Sequence, residues 1–305
     1  MKEILLTGAS GFVGKNLKNY LIGQGYILTS VSLKDSNWKS KINSDAYAIV
    51  HLAGIKESAK FKANDYLEIN TNLTIELFDF FNQSAILKFI YFSSVKSVAE
   101  FLGDKEILDE QFPSNPKSNY GISKFKSEKY ILNNILRDKK VYILKPCIIH
   151  GIQNQGSLYE LFKFVNKGIP YPFKAFTNKR SYLSIPNLNF IIQQLIDKNI
   201  DSGNYVISDS GSISTIELVE IMSDCLNKKV KMWAVPKNLL KFTAKIGSLF
   251  HLPFNTKSLQ KITGNYCVNN SKILNSIGEN LPLTIKEGIR LSINSYIQQS
   301  QLNVK

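Results

Sequence analysis

Apolar positions in the first half of the chain fall into short runs separated by stretches with helical spacing. KEILLTG opens the chain, and Phe12, Val13, Leu17, Tyr20 and Leu21 then recur at intervals suited to one buried helix face. GYILTSVSL and AYAIVHLAG are further runs of strand length. From about residue 65, Ile69, Leu73, Leu77, Phe80 and Phe81 mark one side of a long helix, which leads to the strand LKFIYFSS. SKFKSEKYILNNIL predicts another helix, and KVYILKP a strand ending at Pro146. Apolar strands alternating with amphipathic helices predict an α/β fold built on a doubly wound parallel sheet.

Beyond Pro146 the regularity fades. Gly and Pro punctuate HGIQNQGS and KGIPYPF, short helical patterns follow, and GNYVIS (residues 203–208) reads as a strand returning to the sheet. Two regions are expected: a parallel-sheet domain over residues 1–145, and a smaller α/β lobe over residues 146–305. Residues 238–254, NLLKFTAKIGSLFHLPF, are basic and amphipathic. Such a stretch can serve as a membrane or partner helix; here its apolar side is expected to close the second lobe.

Composition narrows the class. The 305 residues are 44% hydrophobic and 20% charged, as in an ordinary soluble globule. No apolar run reaches the ~18 residues of a spanning helix, and MKEILLTGAS enters a strand without a signal-peptide core. The three cysteines are odd in number and far apart, which argues against a disulfide framework. A cytoplasmic protein without an integral membrane segment is expected. The net charge of +14 comes from lysines scattered among Asn and Ile, without an Arg-rich stripe. They read as solvated faces, and nucleic acid is not an expected partner. A positive field still suits anionic nucleotides or lipid head groups. No Cys/His/Asp/Glu grouping has metal-site spacing, so no metal is expected.

LLTGASGFVGKNL places Gly8, Gly11 and Gly14 between the first strand and the first helix. Gly8 permits a sharp exit from the strand, Gly11 lets a pyrophosphate approach the helix N-terminus, and Gly14 lets helix and sheet pack closely. Ser10, Phe12 and Val13 share this turn as cofactor contacts.

A second candidate is SNYGISKFKSEK, where Tyr120 and Lys124 stand four apart and share a helix face. Spacing alone does not distinguish them. With 14 Tyr and 35 Lys among 38 basic residues, chance gives roughly 1.6 such pairs, and Tyr159 with Lys163 forms a second.

The order of motifs separates the two. TGASGFVG, IVHLAG, EINTNLT, YFSSVK, YGISK, LKPCIIHG, NKRSYLSI and the closing VNNSKILNSIG…LPLTIKEGI follow one another along nearly the whole chain. Together they resemble the extended short-chain dehydrogenase/reductases, the NAD-dependent epimerase/dehydratase family acting on nucleotide sugars. The resemblance implies a Rossmann sheet, with Tyr120 as catalytic acid/base and Lys124 lowering its pKa and binding the nicotinamide ribose. A serine hydroxyl holding the sugar oxygen is also implied. Ser93 and Ser94 face opposite ways on a strand, so one of them should reach the sugar, and alignment on the SSxK…E form found in related sugar-nucleotide reductases and epimerases assigns that place to Ser94. Leu52, Ala53 and Pro146 become cofactor contacts, Asn70 a structural asparagine, and Arg180 the guanidinium that clamps the nucleotide-sugar diphosphate. His150, where the family often has Tyr, is read as packing or as a substrate-edge residue. A homodimer through the long helices is a family implication only. Lys145 before Pro146, Ala99 before Glu100 and IPNL in place of an Asp-containing segment depart from the usual pattern.

At the end of the second strand, Ser32 occupies the position where NAD enzymes usually carry an acid, with Lys34 two residues on. That favours NADP over NAD, and with it a reductase consuming NADPH. The expected reaction is reduction of the C4 keto group of a UDP- or dTDP-4-keto-6-deoxy-hexose or N-acetylhexosamine for surface polysaccharide synthesis. A nucleotide-sugar 4-epimerase with tightly bound NAD and a non-catalytic dinucleotide-binding sensor are the alternatives.

Overall fold

A computed structural model describes residues 1–103 and 106–302. Its first half runs β1 (Glu3–Thr7), α1 (Phe12–Gly23), β2 (Ile27–Val31), β3 (Ala48–His51), α2 (Ala63–Tyr66), a π-helical turn (Leu67–Asn72), α3 (Leu73–Gln83), β4 (Lys88–Phe92), β5 (Ile107–Leu108), α4 (Asn119–Asn133) and β6 (Lys140–Pro146). The second half runs β7 (Ile148–His150), α5 (Ser157–Asn166), β8 (Lys179–Arg180), β9 (Tyr182–Ser184), α6 (Ile185–Asp197), β10 (Gly203–Ile207), β11 (Ile213–Ser214) and α7 (Thr215–Leu226). It ends with α8 (Lys237–Leu249), α9 (Thr256–Thr263), β12 (Cys267–Val268), α10 (Ser271–Ile277) and α11 (Ile285–Leu302).

Six strands form one parallel sheet in the order β10-β6-β4-β3-β1-β2. Every residue of β3 and β4 is buried, because helices cover both faces of a parallel sheet. Alternation divides β4 between them. Ile90 and Phe92 join Leu17, Leu21, Leu188 and Ile192 on one side; Phe89 and Tyr91 join Leu77, Phe78, Phe81 and Ile131 on the other. A third cluster packs α5, α7 and α11 through Phe162, Leu218, Met222, Ile293 and Tyr296. Strand order reverses between β1 and β3, and open α/β sheets place ligands at the carboxyl ends of the strands flanking such a point.

Two expectations need correction. The lysines do not all lie on solvated faces. Lys88 is buried and its Nζ donates to the carbonyls of Leu195, Ile196 and Lys198 at 2.9, 2.8 and 2.6 Å. Lys139 donates likewise to Ser84 and Ile86 beyond α3. An ammonium satisfies carbonyls that a helix end leaves without partners. Nor does the apolar side of α8 close the second lobe. Only Ala244 and Gly247 of that helix are buried, while Leu239, Phe242 and Leu249 face solvent.

Candidate active site

The turn after β1 shows what each glycine does. Gly8 has φ +71°, and a Cβ there would lie 2.7 Å from the Ala53 nitrogen, so β1 and β3 close on each other at this point. A Cβ on Gly14 would lie 2.2 Å from the Gly8 carbonyl oxygen. The fold therefore needs both. Gly11 differs: its Cβ would meet only that same oxygen, at 3.3 Å. It caps α1 with extended backbone, without a side-chain cap or an acid in the first turn. The free N–H groups head a cleft of about 620 Å³ lined by Gly8, Gly11, Phe12, Val13 and Gly14. Leu52 and Gly54 beyond β3 form its next wall, and Pro146 at the end of β6 a third. Ser10 and Ala53 lie outside that lining, Ala53 being the backbone against which Gly8 packs.

Ser94, Tyr120 and Lys124 all line the same cleft. The helix α4 starts one turn earlier than its apolar pattern predicts, because Ser118 caps it by accepting from Gly121 N at 3.1 Å. A Cβ on Gly121 would lie 2.3 Å from the Lys96 carbonyl oxygen. That close approach seats α4 on the 3-10 turn Val95–Ser97 and sets Tyr120 beside Ser94, whose hydroxyl acts to lower the pKa of the phenol. Ser94 also accepts from Lys96 N at 3.2 Å, and the ring of Tyr66 meets that of Tyr120 edge-on at 6.3 Å.

Ser93 faces elsewhere. Its hydroxyl donates to Glu128, which in turn pairs with Lys145 at 3.1 Å, all three buried. Lys145 thus keeps the cation of the usual arginine and commits it to an internal pair. Glu128 gave no sequence signal of this role beyond lying eight residues after Tyr120 on the same helix.

Lys124 is buried, and its Nζ donates to the Phe92 carbonyl oxygen at 2.8 Å and lies 4.9 Å from the Tyr91 ring centre. Burial lowers its pKa to about 8. Burial pushes Tyr120 up to about 12, against the lowering effect of Ser94. The expected depression of the tyrosine by its lysine is therefore not the balance found here. Desolvation dominates both groups, and each is held towards its neutral form.

A chain of buried hydrogen bonds fixes the backbone around these groups. Ala53 N donates to Thr7 Oγ1 at 3.2 Å, and Thr7 Oγ1 lies 2.7 Å from His51 Nδ1. His51 Nε2 lies 2.9 Å from Thr74 Oγ1, which donates to the Asn70 carbonyl at 2.7 Å. That direction assigns the proton to Nε2. Burial and the charge of Lys124 drive the His51 pKa to about 3, so the ring is neutral. Asn70 uses its side-chain amide on both backbone groups of Ile55, at 2.8 and 3.1 Å, holding the strand exit next to Gly54.

Other sequence candidates lie apart. Ser32 and Lys34 are exposed beyond β2 and outside the cleft lining. Asp35 turns away from them: Lys41 and the Asn37 N–H hold its carboxyl below the usual range. Arg180 is half-buried, donates Nε to the Gly264 carbonyl at 3.0 Å, and burial lowers its pKa. Its neighbours Lys179 and Ser181 line a second cavity of about 1050 Å³, together with Asn178, Lys237 and Gln260. His150 is buried, with Nδ1 2.9 Å from Ser292 Oγ and its ring edge-on to Tyr182. Tyr159 stacks on Phe162 and meets Tyr296 edge-on, and Lys163 pairs with Glu160, so the second Tyr–Lys pair is packing. Sequence reading did not single out Gln153, Asn154 and Gln155, which wall the cleft from the loop after β7. The glycine punctuation of HGIQNQGS pointed to a loop there, without marking these three side chains.

A family model described as NAD dependent epimerase/dehydratase matches residues 4–167. Among curated proteins, the UDP-glucose 4-epimerase of Vibrio cholerae is 28% identical, covering 97% of this chain and 96% of its own length. The N-acetyl-alpha-D-glucosaminyl-diphospho-ditrans,octacis-undecaprenol 4-epimerase of Escherichia coli O157:H7 is 26% identical over 89% of this chain and 84% of its own. Two solved structures share the fold: RMD from Pseudomonas aeruginosa with NADPH (TM-score 0.77, 18% identity, 98% and 100% of the two chains) and the UDP-glucose 4-epimerase of Thermus thermophilus with NAD (0.74, 17%, 97% and 99%).

Proposed function

The chain belongs to the NAD dependent epimerase/dehydratase family, and from that premise we propose that it is a UDP-sugar 4-epimerase using a nicotinamide dinucleotide. The observation that carries this reading is the end-to-end relation to a UDP-glucose 4-epimerase, covering 97% of one chain and 96% of the other. In this reading residues 1–145 hold the dinucleotide and residues 146–305 the nucleotide sugar.

The residues fit the cofactor. A Cβ at Gly11 would project where a pyrophosphate approaches the free N–H groups of α1. Gly8, Gly14, Leu52 and Pro146 shape the cleft around the dinucleotide, and Lys124 reaches its ribose end. When bound, the nicotinamide ring supplies a hydride acceptor and donor at the sugar C4. In the phenolate form Tyr120 would take the proton of the C4 hydroxyl and, after the 4-keto sugar has turned over so that the hydride re-enters C4 from the opposite face, return it to the same oxygen. Ser94 orients that oxygen through a hydrogen bond. Lys124, once its ammonium is shared with the phenol, makes the phenolate accessible nearer neutral pH. Arg180 and Lys179 are assigned to the diphosphate side of the lobe.

A second reading rests on Ser32 and Lys34. Without an acid at the end of β2, and with Asp35 tied to Lys41, that edge suits the 2′-phosphate of NADP, and NADPH consumption would make the enzyme a 4-ketoreductase. The complete set Ser94, Tyr120 and Lys124 speaks against a sensor without turnover. Incubation with UDP-glucose or UDP-N-acetylglucosamine, followed by separation of the 4-epimers, tests the first reading. Interconversion without net cofactor change supports it. Stoichiometric NADPH loss with a UDP-4-keto-6-deoxy-hexosamine, and no interconversion, replaces it with the second.

A further inference from the structure

The helix α8 has three distinct faces. Ala244 and Gly247 point inward, and a Cβ on Gly247 would lie 1.8 Å from the Phe254 carbonyl oxygen, so the helix is clamped to the segment that follows it. Leu239, Phe242, Ile246 and Leu249, spaced three, four and three apart, make an apolar row on another face. Phe242 is 61% exposed and Leu249 73%; Phe250 and Leu252 in the following turn extend the row. Lys237, Lys241 and Lys245 form a parallel row at intervals of four. The surrounding sequence is equally one-sided: residues 225–278 contain nine lysines and no Asp or Glu.

We propose that this face of α8, with the turn after it, docks the protein on an anionic phospholipid bilayer. Leucine and phenylalanine side chains enter the boundary between head groups and acyl chains, while the adjoining lysines bind lipid phosphates. Charge decides among occupants. A two-fold contact between two copies of this face would set lysine row against lysine row, with no acid in the segment to balance it. An anionic membrane supplies both the apolar layer and the opposite charge. No described helix is long and apolar enough to cross a membrane, so the attachment is peripheral. Lys237 and Lys241 also line the 1050 Å³ cavity, so docking sets that cavity beside the head-group plane. The proposal does not depend on which sugar is processed.

Cosedimentation of the full chain with vesicles tests it, comparing phosphatidylcholine alone with phosphatidylcholine containing phosphatidylglycerol, across a salt series. The expected result is pelleting with the anionic vesicles only, weakening as salt rises. Phe242→Glu with Leu249→Glu should lower partitioning about a hundredfold, roughly tenfold for each side chain withdrawn from the apolar layer, while melting temperature and turnover of a soluble nucleotide sugar stay unchanged. If that variant fails to fold, Lys241→Gln with Lys245→Gln should weaken the same binding and leave the apolar row intact. Absence of binding to anionic vesicles at low salt overturns the proposal. So does binding that neither variant alters, or a concentration-dependent dimer that the glutamates dissolve while vesicles remain unbound.

Discussion

Lys124 Nζ lies 2.8 Å from the Phe92 carbonyl oxygen, so the ammonium ties α4 to the last residue of β4. This contact gives the lysine a structural part beside the chemical one proposed for it, and its pKa records the cost. Burial lowers it from 10.5 to about 8, meaning that folding disfavours its protonated form. Between pH 8 and 10.5 the unfolded chain holds more of this proton than the folded one, so its contribution to stability rises with pH through that window. The difference in unfolding free energy between wild type and Lys124→Met should therefore shift towards the wild type by on the order of 3 kcal/mol across that window. Denaturant titrations at several pH values would detect this; parallel curves for the two proteins would contradict it.

Adjacent serines should give opposite phenotypes. Ser94→Ala removes the hydroxyl beside Tyr120 and should lower kcat by about 10²-fold with little change in melting. Ser93→Ala removes a donor to the buried Glu128 carboxylate and should cost about 1–3 kcal/mol of stability with kcat nearly intact. Steady-state kinetics and thermal melts of both variants check the pair, and a kcat loss confined to Ser93→Ala would exchange the assignments.

The glycine turn offers a separation of folding from binding. Gly14→Ala forces a methyl to within 2.2 Å of the Gly8 oxygen and should unfold or severely destabilise the chain. Gly11→Ala meets a single atom at 3.3 Å, so it should fold while losing dinucleotide affinity by about tenfold or more, as a methyl intrudes on the phosphate path. Melting curves and cofactor titration by fluorescence distinguish the two. Equal affinity in Gly11→Ala would remove that residue from the phosphate site.

Cofactor preference should answer to one exposed position. Ser32→Asp places a carboxylate where a 2′-phosphate would lie and should move the NADH/NADPH preference towards NADH by about tenfold, equivalent to ~1.4 kcal/mol. Cofactor binding titrations in both forms measure it. No change would mean that the ribose contact lies elsewhere than at the end of β2.

The sheet was largely legible because each central strand is an apolar run whose burial on both faces leaves no alternation to misread, as in AIVH and KFIYF. Tyr120 and Lys124 were legible only through the order of surrounding motifs, since their spacing recurs at Tyr159 and Lys163, where the structure shows packing. What sequence could not supply was direction. Lys88 and Lys139 look like surface lysines until the helix ends that they cap are assembled across 55 to 110 residues of chain. The apolar row of α8 resembles a buried face because periodicity reports one-sidedness and does not say which side meets water. The loop at Gln153–Gln155 carries no periodic pattern at all, and reaches the cleft only through the path of β7.

The position of β10 bears on how the molecule is made. It pairs with β6 along Tyr142–Pro146, yet it is the last strand of the sheet to be synthesised and follows a long excursion through α5 and α6. Until residue 207 has left the ribosome, β6 is an open edge with one unpaired row of backbone groups, and its apolar side chains lack part of their cover. A fragment ending at Pro146 would therefore aggregate rather than stand alone, so the two halves proposed to divide the chemistry do not divide the folding.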